Sequence, residues 1–179
     1  MPKPEFRSAK ELLSSIIRVD HAGEYGAMRI YQGQMAATKD PQTKALISHM
    51  QEQEQEHLSF FEKEMKRRKV RPTALLPLWH YGAYALGFMT ALMGKRTAML
   101  CTQAVEEVID EHYIEQVSEL EGDKNEAELL AKIEQYREEE LEHKDMAIDH
   151  GSMEAPFYVF VRKAIGGLCK GAIEISKRV

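Results

Sequence analysis

A chain of 179 residues, 44% apolar and 30% charged, is long enough for one ordinary domain with a buried core and too apolar for a disordered segment. Its formal net charge of −5, with no basic stripe interleaved with aromatics, argues against nucleic acid as a partner. The two cysteines, Cys101 and Cys169, have neither metal-binding nor redox spacing and read as small core residues of a reducing compartment.

The opening Met-Pro-Lys-Pro-Glu-Phe carries no apolar signal run and is too short and too acidic for an Arg-rich transit peptide. The expectation is a bacterial cytoplasmic chain, or a eukaryotic one without its presequence. No alternating strand runs bounded by Asn-Gly or Asp-Gly turns occur, so the chain reads as helical almost throughout. A first helix is expected from Ser8, with Glu11 at capping-box spacing, to about Thr38, where Asp40-Pro41 ends it. A second runs from about Pro41 to Lys69 and stops before Pro72, its C-terminal end basic with Lys63, Lys66, Arg67, Arg68 and Lys69, as the macrodipole favours.

From Thr73 to Met93 there is no Asp, Glu, Lys or Arg. A long helix follows from about Lys95 to Glu121, then a turn at Gly122-Asp123-Lys124-Asn125, a helix from about Glu126 to Asp149, and a last one from Ala155 to near Lys177. The expected organisation is a single domain over 1–179, with an internal repeat of roughly 8–72 and 95–150 around an apolar insertion at 73–93.

The repeat carries the chemistry. Each half holds a lone glutamate in an apolar helical setting, Glu24 and Glu106, followed by a Glu-x-x-His element, Glu54 to His57 and Glu140 to His143. On a helix, residues i and i+3 share a face, so a carboxylate and an imidazole can grip one ion. Two such elements plus two glutamates are the ligand set of four-helix di-iron and di-manganese bundles. A solitary Glu-x-x-His is usually a solvated helix face. Two in register are not, because the lone glutamates lie 82 residues apart and the Glu-x-x-His elements 86. The first offset also superposes Tyr31 on Tyr113 and Gln34 on Gln116; the second superposes Ile47 on Ile133 and Glu56 on Glu142. Two divalent ions held there would bring the formal charge from −5 to −1.

The uncharged stretch is long enough to cross a bilayer core of about 30 Å. Pro77, His80, Gly82 and Gly87 interrupt it, however, and Arg67, Arg68, Lys69 and Arg71 precede it while Lys95 and Arg96 follow. A span would also put the two glutamate sets on opposite sides of a membrane. The preferred reading is an in-plane or re-entrant segment seated on a membrane, with Trp79, Tyr81 and Tyr84 at the interface. The alternative is a crossover connection packed on the bundle or buried in a dimer interface.

With these features the chain resembles the demethoxyubiquinone hydroxylase family, the di-iron monooxygenases of ubiquinone biosynthesis. The resemblance rests on Arg18-Val19-Asp20-His21-Ala22-Gly23-Glu24-Tyr25-Gly26-Ala27, Glu54-x-x-His57, Arg71-Pro72-Thr73, Pro77-Leu78-Trp79, Ala104-Val105-Glu106-Glu107, His112-Tyr113 and Glu139-Glu140-Leu141-Glu142-His143. It covers the chain from about Ile16 onward. It implies an all-α, ferritin-like four-helix bundle with a di-iron site, a membrane-associating apolar segment and a C-terminal helix. It also implies two iron ions on Glu24, Glu54, His57, Glu106, Glu140 and His143, all six of which match, with His112 and Tyr113 near the site.

The implied reaction hydroxylates the ring of a polyprenylated demethoxybenzoquinol with O2, one oxygen atom entering the ring and the other leaving as water. Electrons come from outside, with NADH as the implied donor. No Gly-rich dinucleotide fingerprint is present, so a nicotinamide would bind without a Rossmann fold. The implied placement is peripheral to a membrane, on the matrix side of the mitochondrial inner membrane in a eukaryote and on the cytoplasmic face of the cell membrane in a bacterium. A lipid-binding accessory protein is a further implied partner, and a homo-oligomer is left open.

Around the six, Tyr113 and His112 could orient a carboxylate or pass a proton, or equally serve as satisfied core polar residues. Tyr31 has the same two readings. His21, three before Glu24, is read as structural or as supporting a ligand. Asp20 and Asp110 could receive a ligand histidine's other N–H, or be solvated. Glu56, Glu107, Glu139 and Glu142 are turned about 100° per residue from the ligands and are expected to be exposed or to support them. Other classes remain open: an iron-oxidising storage protein, a quinol oxidase, or a metal-independent module that binds a lipid quinone.

Overall fold

The computed structural model describes residues 8–178. The opening stretch read above for a leader lies outside the described residues, as does Val179. Among the described residues there are six α-helices and no strand: α1 (Ala9–Ala37), α2 (Pro41–Arg68), α3 (Leu76–Leu92), α4 (Lys95–Leu120), α5 (Ala127–Asp149) and α6 (Tyr158–Ser176). The all-α, ferritin-like class expected from the sequence holds. The chain divides into two compact units, one of residues up to Gly94 together with those from Lys170 on, the other Lys95–Cys169.

In the first unit the helix ends form where local chemistry supplies partners for the terminal backbone groups. Ser8 Oγ accepts the Glu11 N–H at 3.2 Å, and Asp40 Oδ2 accepts the Thr43 N–H at 2.8 Å and its hydroxyl at 2.6 Å. Pro41 sits in the first turn of α2, where no N–H partner is needed. Lys69 closes α2 in the left-handed conformation (φ 56°), and the Val70 N–H reaches back to the Met65 carbonyl at 3.0 Å. Nearby, burial raises the Glu64 carboxyl pKa, but hydrogen bonds from Arg67 (2.6 Å) and Arg68 (2.9 Å) outweigh it and hold the group below the usual carboxylate range.

The uncharged stretch forms an uninterrupted helix. Pro77 lies in the first turn of α3, where it starts the helix instead of breaking it, after Thr73 Oγ1 accepts the Leu75 N–H at 3.3 Å. Gly87 is required by packing: a Cβ there would lie 2.0 Å from the Ile30 carbonyl oxygen, and one at Gly33 would lie 2.2 Å from that of Tyr84. The backbones of α1 and α3 therefore touch, as small residues permit. The inward side of α3 is made of small residues, Ala83, Gly87, Thr90 and Ala91, while Leu78, Tyr81, Met89 and Leu92 are exposed. Arg29 of α1 adds a bond to the His80 carbonyl at 2.9 Å and stacks its guanidinium 4.9 Å from the Tyr84 ring centroid.

In the second unit every residue of α4 from Thr97 to Glu106 is buried, so its first turns are covered on all faces. α5 buries a single stripe of Leu129, Ile133, Tyr136, Glu140, His143 and Ala147 and is tied to α4 by Arg137 Nε donating to Asp110 Oδ1 at 2.6 Å. The turn between them uses Gly122 at φ +86° and Asp123, whose Oδ1 accepts the Asn125 N–H at 3.0 Å. α6 begins at Tyr158, three residues later than expected. Ala155 is extended before Pro156, and Phe157 is left-handed at φ 57°, so neither can open the helix.

The backbone contact gives a paired test. Gly87→Ala should destabilise by about 1–3 kcal/mol, since the clashing atoms are backbone and cannot rotate away. Gly82→Ala, whose Cβ would meet only Leu78 Cδ1 at 3.8 Å, should be neutral or stabilising. Denaturation midpoints of the two variants measure the difference.

Candidate metal centre

The ligand-type residues occupy core positions. α2 buries Ile47, Met50, Glu54, His57 and Phe61, and α5 buries Ile133, Tyr136, Glu140, His143 and Ala147. Both series step by three, four, three and four residues, so the carboxylate and imidazole continue the apolar stripe and turn inward with it. Glu24 and Glu106 are buried in α1 and α4 in the same way. All six side chains are at most 1% exposed.

Each unit brings its own three together. In the first, Glu24, Glu54 and His57 offer ligand atoms within 4.8 Å of one another; in the second, Glu106, Glu140 and His143 do the same. His57 Nδ1 lies 3.5 Å from Glu24 Oε2 and 4.0 Å from Glu54 Oε2, and His143 Nδ1 lies 3.1 Å from Glu140 Oε2. Donor atoms about 2.0–2.2 Å from a small divalent ion are roughly 3 Å apart at a right angle and nearly 4 Å apart at wider angles. The observed separations fit a shared ion. The donor set, oxygen and imidazole nitrogen without thiolate, suits iron or manganese.

Groups flanking the ligands vary in their surroundings. Tyr31 and Tyr113 are fully buried, and Tyr31 donates its hydroxyl to Met50 Sδ at 3.8 Å. Gln34 and Gln116, their companions in the repeat, are also buried. The Gln116 amide nitrogen lies 2.8 Å from His112 Nε2. Burial pushes the His21 imidazole below its usual pKa against the opposing pull of Glu62 and Glu24. Asp20 is buried. Asp110, weighed above as a histidine partner, instead receives Arg137.

Glu56 and Glu142 are exposed, as expected of residues turned away from the ligands. Glu107 and Glu139 are half-buried; Glu107 receives Gln103 and Arg162, and Glu139 receives Gln135. The half-buried Cys169 thiol is pushed up to about 11 by desolvation and by the charge of Glu106.

Sequence reasoning missed Gln103, Ser152, Tyr158 and Arg162, which gather on α4 next to Glu106. Ser152 Oγ donates to Gln103 Oε1 at 2.6 Å, Gln103 Nε2 donates to the Tyr158 hydroxyl and Glu107 Oε1 at 2.9 Å each, and Arg162 Nε donates to Glu107 Oε2 at 2.6 Å. Their partners lie 49 or 55 residues away in sequence, beyond any helical periodicity.

Burying acids without an ion is costly. Glu106→Gln should therefore raise the stability of the metal-free protein, by about 1 kcal/mol or roughly 2–4 °C. Added Fe(II) should raise the melting temperature of the wild type and that of this variant less, by mass action. Calorimetry with and without anaerobic Fe(II) reads both effects.

A family model described as "Ubiquinone biosynthesis protein COQ7" matches residues 11–176. The chain is 48% identical over 165 residues to a Mus musculus protein named "NADPH-dependent 3-demethoxyubiquinone 3-hydroxylase, mitochondrial", covering 91% of this chain and 76% of that protein. It is 44% identical over 173 residues to the Rhodospirillum rubrum protein named "3-demethoxyubiquinol 3-hydroxylase", covering 96% and 81%. It is 40% identical over 182 residues to the Saccharomyces cerevisiae protein named "5-demethoxyubiquinone hydroxylase, mitochondrial", covering 93% and 78%. With its buried carboxylates and imidazoles on core stripes and a match over nearly its whole length, the chain belongs to the COQ7 family of ubiquinone biosynthesis proteins.

Proposed function

We propose that this protein is a di-iron monooxygenase that hydroxylates the ring of a polyprenylated demethoxybenzoquinol. The observation that carries the reading is the pair of matching triads, Glu24, Glu54 and His57 in one unit and Glu106, Glu140 and His143 in the other, each on core positions. Each triad would hold one iron, and the irons would supply O2 activation when bound. The four carboxylates offset the ions' charge and can change binding mode as it changes. Burial excludes bulk water, which strengthens their electrostatic effect and protects reactive species. Tyr113, buried one face-repeat beyond Glu106, and His112, 2.8 Å from the Gln116 amide, would hold or pass a proton.

The reductant lies outside the chain. A reduced nicotinamide is the proposed donor; the mouse relative's name specifies NADPH, whereas the sequence reading favoured NADH. Comparing the two donors under identical conditions decides between them. The reaction is to be run with Fe(II)-loaded protein, a demethoxyubiquinone, either nicotinamide and 18O-labelled O2. The expected product carries one labelled oxygen atom, and Glu140→Ala should form none while keeping its helical content, because the apolar faces of the helices supply most of the stability. Oxidation of iron or quinol without labelled product would favour the storage or oxidase alternatives.

The protein works at a membrane surface in this reading. Among the described residues no helix is long and apolar enough to cross a membrane. α3 nevertheless turns its small residues inward and its large ones out, with Tyr81 73% and Leu78 59% exposed, the reverse of a helix built to face water. Trp79, expected at the interface, is only half-exposed, so Leu78 and Tyr81 are the better anchors. The double variant Leu78→Asp and Tyr81→Asp should lose liposome binding in flotation and lose activity on long-tailed quinones more than on a short-tailed analogue. Equal losses on both substrates would make the segment purely structural.

A further inference from the structure

The offset of 82 residues that superposes Glu24 on Glu106 also superposes Tyr25 on Glu107 and His21 on Gln103. In both units these neighbours are tied to a helix that carries none of the six ligands. The Tyr25 hydroxyl is hydrogen-bonded to His80 Nδ1 of α3 at 2.6 Å, with the His21 ring stacked 6.4 Å from that of Tyr25. Glu107 and Gln103 receive and hold α6 through Arg162 Nε at 2.6 Å and Tyr158 at 2.9 Å. The Gln103 amide is fully engaged, since its oxygen also accepts Ser152. Arg162 further lies 5.9 Å over the Tyr158 ring, closing a loop of four side chains.

We infer that Tyr25 with His80, and Glu107 and Gln103 with Arg162 and Tyr158, are positioning residues that fix the rotation of α1 and α4 and hence the aim of Glu24 and Glu106. The reason is geometric. Apolar contacts around a buried helix are non-directional and resist rolling weakly. A roll of about 10° moves a side-chain atom at a helix radius of roughly 5–6 Å by about 1 Å, several times the ±0.2 Å a metal site tolerates. The hydrogen bond one residue beyond Glu24, and those one beyond and three before Glu106, are directional and act on the same turn as the glutamate. The braces stand at equivalent offsets from the two glutamates but differ in chemistry, a tyrosine and an imidazole in one unit, a carboxylate and a guanidinium in the other.

This inference rests on the metal reading above, and the experiment separates the two. Metal-free protein is titrated with Co(II), whose visible ligand-field bands report both affinity and coordination. Wild type should take two ions per chain. Arg162→Ala and Tyr25→Phe should each weaken Co(II) binding about 10–100-fold at one ion and change its bands, the usual cost of removing a group that orients a ligand. Arg162→Lys should recover part of the loss.

Arg162 is largely exposed and its ion pair contributes little to folding, so melting of the metal-free Arg162→Ala protein should barely change. Unaltered isotherms and bands in both variants would overturn the inference, as would binding losses that merely track lost helicity or melting temperature. A wild type that takes up no Co(II) would overturn the dinuclear reading itself, and this inference with it.

Discussion

Ionisable side chains at positions a helical core reserves for apolar ones are the constraint on which the rest depends. On α2 and α5 the stripe reads apolar, apolar, Glu, His, apolar at identical spacing, and all six ligand-type residues are at most 1% exposed. Such a core is tolerated only if the surrounding contacts over-compensate and a cation completes it. The compensation is visible: α4 is covered on every face from Thr97 to Glu106, and Ile17, Ile47, Met50, Phe61, Met99, Leu100, Leu129 and Ile133 are fully buried. The apolar packing therefore holds the helices while the carboxylates could hold a metal, so that folding and the proposed function would draw on different residues of the same stripes.

The second constraint is the close approach of α1 and α3. Because Gly33 and Gly87 let backbone meet backbone, α3 has no large side chain to spare for the interior and sends Leu78, Tyr81, Met89 and Leu92 outward. One packing decision thus accounts for both the glycines and the exposed apolar face. A helix whose inner side is small needs little area to hold it, provided directional bonds such as those from Tyr25 and Arg29 to His80 fix its register. The cost of exposing so much apolar surface is recovered where a lipid surface is the neighbouring phase.

Most of the helix boundaries were legible because their signals are local: Ser8, Asp40-Pro41, Lys69 and Gly122 all sit within one turn of the end they specify. The six ligand-type residues were legible because their order and spacing recur in the two halves of the sequence. Three features were not. Pro77 and Gly87 looked like interruptions of a helix, since composition does not reveal that one lies in a first turn and the other against a neighbouring backbone. The start of α6 was misplaced because the left-handed Phe157 has no composition signal, φ > 0 being expected of Gly or Asn. Asp110 was weighed for a histidine it does not serve, because its partner Arg137 is 27 residues away and on another helix.

The unequal chemistry of the two braces has a consequence for how the two ions would differ. The Tyr25–His80 pair is uncharged in both partners as long as the imidazole is neutral, and it lies against the α3 contact, so ionic strength acts on it weakly. The Glu107–Arg162 pair is an ion pair with Arg162 45% and Glu107 23% exposed, within reach of screening ions. The same rise in salt would loosen the aim of Glu106 and leave that of Glu24 unchanged. Two triads of the same residue types can thus be made inequivalent through the residues beside them, without a change in any of the six ligand-type side chains, and two ions held there would differ accordingly.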